Sequence, residues 1–319
     1  MRLLARIAAL GWLSVGCGAV PAPIPELSAP IPVEPLALVT SAPTATEPPP
    51  PPDPPLPQEA AEPISPCPSE MVLVAQRFCI DRYEATMVDK TTRRPFSPFY
   101  PPSRKEIRRA IAGQKWGPAA LGKEEIEPPV PVLPEWERGP GMEALAVSAA
   151  HVTPQAYVSK PTAKSACESA GKRLCSLAEW KVACRGDQNT RYPYGEKYRI
   201  GFCNVHGTSH PASILYGNAS LGHWDPRLNQ VTVDGAPLLR PTGETPKCRS
   251  SWGADGVYDM VGNLDEWVED DRSTFAGGFY ARDTFRGCDA RVSRHPPVFF
   301  DFTTGVRCCA DRRDGKTAE

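Results

Sequence analysis

The cysteines are the feature of this sequence that most constrains its fold. The chain has 319 residues and eleven cysteines, and ten of these lie after residue 66. An even number of cysteines in an exported chain is typical of a disulfide framework. The alternative, a zinc-binding cytosolic protein, is disfavoured because no CxxC pair occurs. We therefore expect a domain whose short elements are joined by disulfides.

The N-terminal residues predict export. Two arginines precede an apolar run, Ile7 to Gly16, which is too short to span a membrane and is typical of a secretory signal over residues 1–17. Cys17 follows a small residue, as a lipoprotein signal peptidase requires, but Ser14 stands where an aliphatic residue is usual. The sequence predicts a periplasmic or cell-surface protein and leaves both lipidation of Cys17 and free secretion open.

Residues 18–66 have a composition that cannot form a core. Seventeen of the chain's 38 prolines lie between Pro21 and Pro66. Such a segment predicts a disordered, polyproline-like tether, which at about 3.1 Å per residue could hold a domain about 150 Å from an anchor. The remaining residues, 67–319, are then the folded domain.

The overall charge excludes one class of function. The formal net charge is −1 and 41% of the residues are hydrophobic. There is no basic excess to suggest a nucleic-acid partner. We expect contact with a membrane only through a lipid on Cys17.

Two short helices are well marked in the domain. Ser159 is the predicted N-cap of the first, and Ser176 with Glu179 forms a capping box for the second. Each helix carries a cysteine, Cys167 or Cys184, on the side predicted to be buried. We therefore expect both helices to be joined to the rest of the domain by disulfides.

The rest of the domain predicts little regular structure. The stretch MVLVAQRFCIDRYEAT, which begins at Met71, favours two short strands. Residues 96–158 are rich in proline and charge and are interpreted as mostly loop or surface insertion. Glycines, aromatics and turns dominate after Asn189, so the fold class expected is α+β with low secondary-structure content.

Six motifs occur in an order that resembles the formylglycine-generating enzyme (sulfatase-modifying factor) family. They are AGKRLCSLAEWKVACRG, YPYG, CNVHG, GVYDMVGNLDEW, AGGFYARD and TGVRCCAD. The resemblance runs from about Met71 to Asp311. It implies a variant of the C-type lectin fold, which agrees with the α+β prediction made from the residues alone.

The resemblance also implies two disulfides. Carried over by motif, these are Cys167 with Cys308 and Cys184 with Cys288. The family gives no guide to the other six cysteines. Nearness along the chain suggests two further pairs and leaves a third, namely Cys67 with Cys79, Cys203 with Cys248, and Cys175 with Cys309.

Calcium is the cofactor that the resemblance implies. The family's matching stretch would place ligands at Asp259, the carbonyls of Gly262 and Leu264, and Glu266. Calcium takes six to eight oxygens at about 2.4 Å, so a glycine turn between two carboxylates is chemically suitable. A second family site would begin at Asn204 and Val205, with Asp225 as a candidate distal ligand.

The catalytic residues of the family are not found. Its enzymes oxidise a substrate cysteine with oxygen and hold copper through two cysteines five positions apart. Arg282 stands at the first of these positions and Gly287 at the second, and Cys288 matches the structural cysteine instead. Soft thiolates are what Cu(I) requires. We therefore predict no catalytic residue of the copper type.

Other metal chemistry remains an alternative. Adjacent Cys308 and Cys309 could chelate a metal or form a vicinal disulfide, although an extra structural bridge at Cys309 is favoured. His206 and His210 are four apart and His295 lies near the C-terminal turn, so a histidine site is a further hypothesis.

Two functions are compatible with these patterns. The first is an exported, calcium-stabilised binding or scaffold module for an exported protein, peptide or glycan. Aromatic residues in its loops would offer the surface, namely Trp224, Trp252, Trp267, Phe279 and Tyr280. The alternative is a divergent copper- or iron-dependent oxidase acting on exported protein or sulfur-containing substrates.

Overall fold

The chain divides into two units, Met1–Ala60 and Ala61–Glu319. Its structure is a computed structural model that describes residues 65–114, 128–205 and 209–313, all in the second unit. The predicted signal with Cys17, all but the last two residues of the predicted tether, and His206 lie outside the described residues.

The helices are short, as the sequence predicted. They are α1 (Arg104–Gln114), α2 (Lys160–Ser169), α3 (Leu177–Arg185) and α4 (Pro211–Tyr216). Ser159 accepts a hydrogen bond from the backbone N–H of Thr162 and so caps α2. Ser176 and Glu179 form both halves of a capping box at the start of α3. Both predicted helix starts are therefore confirmed.

The strands of the described residues are all two to five residues long and belong to several small sheets. They are β1 (Met71–Val74), β2 (Phe78–Asp81), β3 (Ala85–Asp89), β4 (Ala144–Ser148), β5 (Arg173–Leu174), β6 (Thr232–Val233), β7 (Ala236–Pro237), β8 (Arg249–Trp252), β9 (Asp255–Tyr258), β10 (Asp265–Trp267), β11 (Phe275–Ala276), β12 (Arg291–Val292), β13 (Thr304–Val306) and β14 (Cys308–Asp311). One four-stranded sheet has the order β1-β2-β14-β5 and a second has the order β12-β11-β10-β13; the remaining strands pair as β3-β4, β6-β7 and β8-β9.

The two larger sheets are continuous through the C-terminal segment. β13 pairs parallel to β10 in the second sheet, and β14 pairs antiparallel to β2 and β5 in the first. The single residue between β13 and β14 is Arg307, which is fully buried. This connection places a buried guanidinium where the two sheets meet.

Ten cysteines form five disulfides. The pairs are Cys67–Cys79, Cys167–Cys308, Cys175–Cys309, Cys184–Cys288 and Cys203–Cys248. Two are the pairs that the family resemblance implies, two are the pairs suggested by nearness along the chain, and Cys175–Cys309 is the pair that remained. Successive strand residues point to opposite faces, so the neighbours Cys308 and Cys309 on β14 reach different partners in two different core clusters.

The interpretation of residues 96–158 as mostly loop or insertion is too coarse. β4 lies within this segment and pairs with all five residues of β3, and Phe96 and Tyr100 are buried. The prediction missed this because the partner strand lies more than fifty residues earlier in the chain, and periodicity within the segment does not reveal it. No helix in the described part of the chain has the length and hydrophobicity that crossing a membrane requires.

Candidate functional site

The loop between β9 and β10, together with β10 itself, carries the residues that the sequence singled out for the first calcium site. Asp259, Gly262 and Asn263 all have positive φ, so the loop turns tightly. A side chain at Gly262 would overlap the carbonyl oxygen of Asn204, which explains why glycine is needed there. Asn263 donates its backbone N–H to that carbonyl at 2.9 Å. The structure therefore brings the two predicted calcium segments together.

Asp259 from this loop and Glu266 from β10 belong to a buried acidic network, defined as Glu84, Asp259, Glu266 and Arg307. Arg307 donates to both oxygens of Glu266, at 2.8 to 3.1 Å, and Trp180 donates to one of them at 2.7 Å. Glu84 accepts from the backbone N–H of Leu264 at 3.0 Å. The guanidinium of Arg307 thus forms hydrogen bonds with Glu266 and also attracts the charges of Glu84 and Asp259.

The remaining carboxylate is less well satisfied. Asp259 accepts from the backbone N–H of Gly243 at 2.7 Å through Oδ2. Its Oδ1 is buried and has no hydrogen-bond partner in residues 65–114, 128–205 and 209–313, although the Thr245 hydroxyl lies nearby. Buried polar atoms are normally paired, so this oxygen is the clearest open ligand position in the loop.

The electrostatics of the network follow from burial. Burial raises the pKa of Asp259 to about 6, despite the favourable interactions with Gly243 and Arg307. Burial, with the charges of Asp259 and Glu266, raises the pKa of Glu84 well above its usual range. The sequence analysis missed Glu84, because nothing in its local pattern separates it from a surface carboxylate.

Calcium fits this arrangement only in part. The open oxygen of Asp259 suits the ion, but both oxygens of Glu266 are bound by Arg307, whose charge would repel a cation. Asp225, the candidate for the second site, is buried in an ion pair with Arg227. Within the described residues, no group of three or more His, Cys, Asp or Glu side chains is arranged to hold a metal ion.

The loop from Phe279 to Cys288 holds the positions that the family gives to copper. Arg282 lies 3.0 Å from Oδ2 of Asp265, which is fully buried and also accepts from the backbone N–H of Gly278. Burial raises the pKa of Asp265 to about 7, although Arg282 opposes this shift. An ion pair therefore lies where a thiolate would be required. The sequence analysis also did not single out Asp265, because nothing in the local pattern separates it from the neighbouring acids.

The second copper position is closed by packing. Gly287 has a φ of +56°, and a side chain there would overlap the carbonyl oxygen of Arg191. The neighbouring Cys288 is bonded to Cys184. The residues present do not fit a thiolate copper site.

Beside Arg282 the structure assembles a histidine–arginine cluster, defined as His210, His223, Phe279, Arg282 and Phe302. Arg282 lies over the ring of Phe279 at 4.9 Å, and both histidines contact Phe302 edge to face. Asp301 raises the pKa of His223 from a distance of 3.6 Å, whereas burial lowers the pKa of His210. The cluster offers hydrogen bonds and positive charge, but no soft metal ligand.

The other predicted site residues are dispersed or buried. His295 packs on Phe299 with ring centroids 4.2 Å apart, while Nδ1 of His210 accepts the N-terminal N–H of α4. Of the aromatic residues expected at the surface, Trp267, Phe279 and Tyr280 are buried. Trp224 remains 38% exposed and lies beneath the guanidinium of Arg109.

Comparison with known proteins defines the class of the chain. The Sulfatase-modifying factor enzyme 1-like domain matches residues 67–312, and the chain belongs to this family. Its α+β, C-type-lectin-like fold with low regular secondary structure and several disulfides is accordingly confirmed.

Individual relatives are similar over shorter stretches. The chain is 31% identical over 118 residues to the formylglycine-generating enzyme of Mus musculus, which is 37% of this chain and 27% of that enzyme. It is 31% identical over 115 residues to the formylglycine-generating enzyme of Mycobacterium tuberculosis, which is 36% of this chain and 32% of that enzyme. The structure of PvdO from Pseudomonas aeruginosa is 17% identical with a TM-score of 0.36, over 73% of this chain and 80% of PvdO.

Proposed function

We propose that this chain is an exported member of its family that acts as a binding or scaffold module and not as a copper-dependent oxidase. The observation that carries the proposal is the Arg282–Asp265 ion pair at the first position where the family holds copper. The closed position at Gly287 and the five disulfides support it, since Cu(I) chemistry needs free thiolates.

Export is part of the proposal. Five disulfides suit an oxidising compartment such as the periplasm or the cell surface. The arginines and short apolar run at the N-terminus support a secretory signal, and Cys17 would carry the lipid of a lipoprotein. The occupant of the binding surface would be an exported protein, peptide or glycan, with half-exposed Trp224 and Arg109 as one contact region.

The test of the proposed function uses the exported chain purified without reductant. We expect no titratable thiol in the folded domain, no stoichiometric copper or iron, and no oxygen consumption with a cysteine-containing peptide. Two titratable thiols together with bound copper would overturn the proposal. Oxygen consumption with bound iron or copper would favour the alternative, a divergent metal-dependent oxidase.

Stabilisation by calcium is a separate part of the proposal. The open buried oxygen of Asp259 supports it, whereas the pairing of Glu266 with Arg307 leaves the site fewer ligands than the family resemblance implies. Free calcium at a hundred times its Kd would add about 2.7 kcal/mol to the free energy of unfolding.

Thermal unfolding with calcium, magnesium or EDTA tests this part. We expect calcium to raise the melting temperature of the wild-type chain and to leave that of Asp259→Asn unchanged. Glu269→Asn is the matched control, because Glu269 is a half-exposed carboxylate paired with Lys160 and Lys164 outside the network. An equal response to calcium in wild type and Asp259→Asn would remove Asp259 from the site.

A further inference from the structure

A cavity of about 440 Å³ lies beside the 3-10 turn Gly287–Asp289. It is called the basic pocket here, and its lining residues are Lys181, Arg191, Arg286, Asp289 and Arg291. Lys181 comes from α3, Arg191 from the loop that follows it, and Arg291 from β12. Four cations from separate segments of the chain therefore converge on one cavity that contains a single acid.

The charges in the basic pocket are far from balanced. Asp289 is shared by Lys181 and Arg185, each at 2.7 Å, and the Lys181 hydrogen bond lowers the pKa of that carboxyl group. Within the described part of the chain, no carboxylate lies within 4 Å of the guanidinium of Arg191, Arg286 or Arg291. Like charges held together in this way attract an anion.

The backbone around the basic pocket is held in place. Cys184 on α3 is bonded to Cys288 in the turn, and the backbone N–H of Cys288 donates to the carbonyl of Arg191 at 2.9 Å. The Arg191 side chain donates to the carbonyl of Phe285 at 2.7 Å. Because these positions are fixed before any ligand arrives, binding would cost less conformational entropy.

An aromatic surface adjoins the charges. Phe285 is 56% exposed and directly precedes Arg286 in the chain. Its ring meets that of Tyr198 edge to face with centroids 5.2 Å apart. An exposed ring next to a cationic cavity, supported by a half-buried tyrosine, suits a ligand with both an anionic head and an apolar or ring-shaped body.

We propose that the basic pocket binds the phosphate or sulfate group of a monoester, with the organic part of the ligand against Phe285. Guanidinium groups match tetrahedral oxyanions with paired hydrogen bonds, and three of them have no acidic partner here. Several cations favour an oxyanion with three terminal oxygens over a carboxylate with two, and the cavity volume suits a small ligand. This site is separate from the histidine–arginine cluster and goes beyond the proposed function.

The experiment is calorimetric titration of the purified full chain, disulfides intact, at low salt. The probes are phenyl phosphate, phenyl sulfate and benzoate, which share the ring and differ in the anion. We expect one of the two monoesters to bind at least about tenfold more tightly than benzoate, because it offers more oxygens to the arginines. Whichever of phenyl phosphate and phenyl sulfate binds more tightly identifies the ester that the pocket prefers.

Variants show whether the pocket is responsible. Arg286→Ala with Arg291→Ala should weaken binding of that monoester at least about tenfold, since two charge-assisted contacts are lost. Lys105→Ala with Arg108→Ala is the matched control, because it removes two exposed cations from α1 and should leave binding unchanged. Arg286→Lys with Arg291→Lys keeps the charge but loses the planar fork, and it should bind more weakly than wild type.

Three results would overturn the proposal. These are the absence of monoester binding up to about 10 mM, equal losses in the pocket variant and the α1 control, and benzoate binding as tight as that of the tighter-binding ester. None of these results would alter the thiol count or the oxygen consumption, so the proposed function is tested independently.

Discussion

Two neighbouring residues on β10, Asp265 and Glu266, make the most informative comparison in the molecule. Both are buried carboxylates and each is paired with one arginine, but their side chains leave the strand on opposite faces. Glu266 joins the buried acidic network through fully buried Arg307, whereas Asp265 holds half-exposed Arg282 in the loop where the family has thiolates. One face of β10 therefore contributes to the buried acidic network, and the other face contributes to a separate, half-exposed ion pair.

The comparison predicts unequal costs for losing the two arginines. Arg307→Met leaves three buried carboxyl groups without a cation and should lower the free energy of unfolding by about 3–5 kcal/mol. Arg282→Met should cost less than half as much, because solvent reaches the Arg282 side chain, which is 39% exposed. Urea unfolding of both variants at pH 7 measures the difference, and equal costs would contradict the assignment of Arg307 as the main cation of the network.

The Asp265 face should also show a distinctive pH dependence. The folded pKa of Asp265 is raised to about 7 from 3.8, so the native state binds more protons than the unfolded state between these values. Stability contributed by the protonated carboxyl is then lost as the pH rises from about 4 to 7, by about 2–4 kcal/mol.

Unfolding of the wild type and of Asp265→Asn at several pH values isolates this effect. Asp81, Asp259 and Glu137 also have raised pKa values, so both chains should lose stability with rising pH. The loss should be smaller in Asp265→Asn. Parallel curves for the two proteins would show that Asp265 does not titrate in this range.

The last comparison concerns packing at Gly287, the second position that the family gives to copper, and it has the smallest expected loss of stability of the three comparisons. Gly287→Ala should cost about 1–3 kcal/mol, because a left-handed conformation and an overlap with the Arg191 carbonyl act together. Gly171→Ala is the matched control: Gly171 has a φ of +69°, but nothing lies within 4 Å of the added methyl group. Chemical denaturation should show a larger loss for Gly287→Ala, and equal losses would mean that the position is open enough for a cysteine.

Local patterns and family motifs predicted much of this chain. The capping residues Ser159, Ser176 and Glu179 marked both central helices, because a cap is a contact between residues two or three positions apart. The motif order predicted the fold class. It also pointed to the loop that contains Asp259 and to the absence of cysteine at positions 282 and 287.

What the sequence by itself determined is therefore the local and the covalent part: where helices begin, which segments carry cysteine, and that positions 282 and 287 are Arg and Gly. Only the tertiary structure decided which charges meet. Glu84 and Asp259 interact although they are 175 positions apart in the sequence, and the basic pocket is lined by cations from both α3 and β12. Such pairings depend on how strands and loops pack, and burial then sets the pKa of each group, which no local pattern encodes.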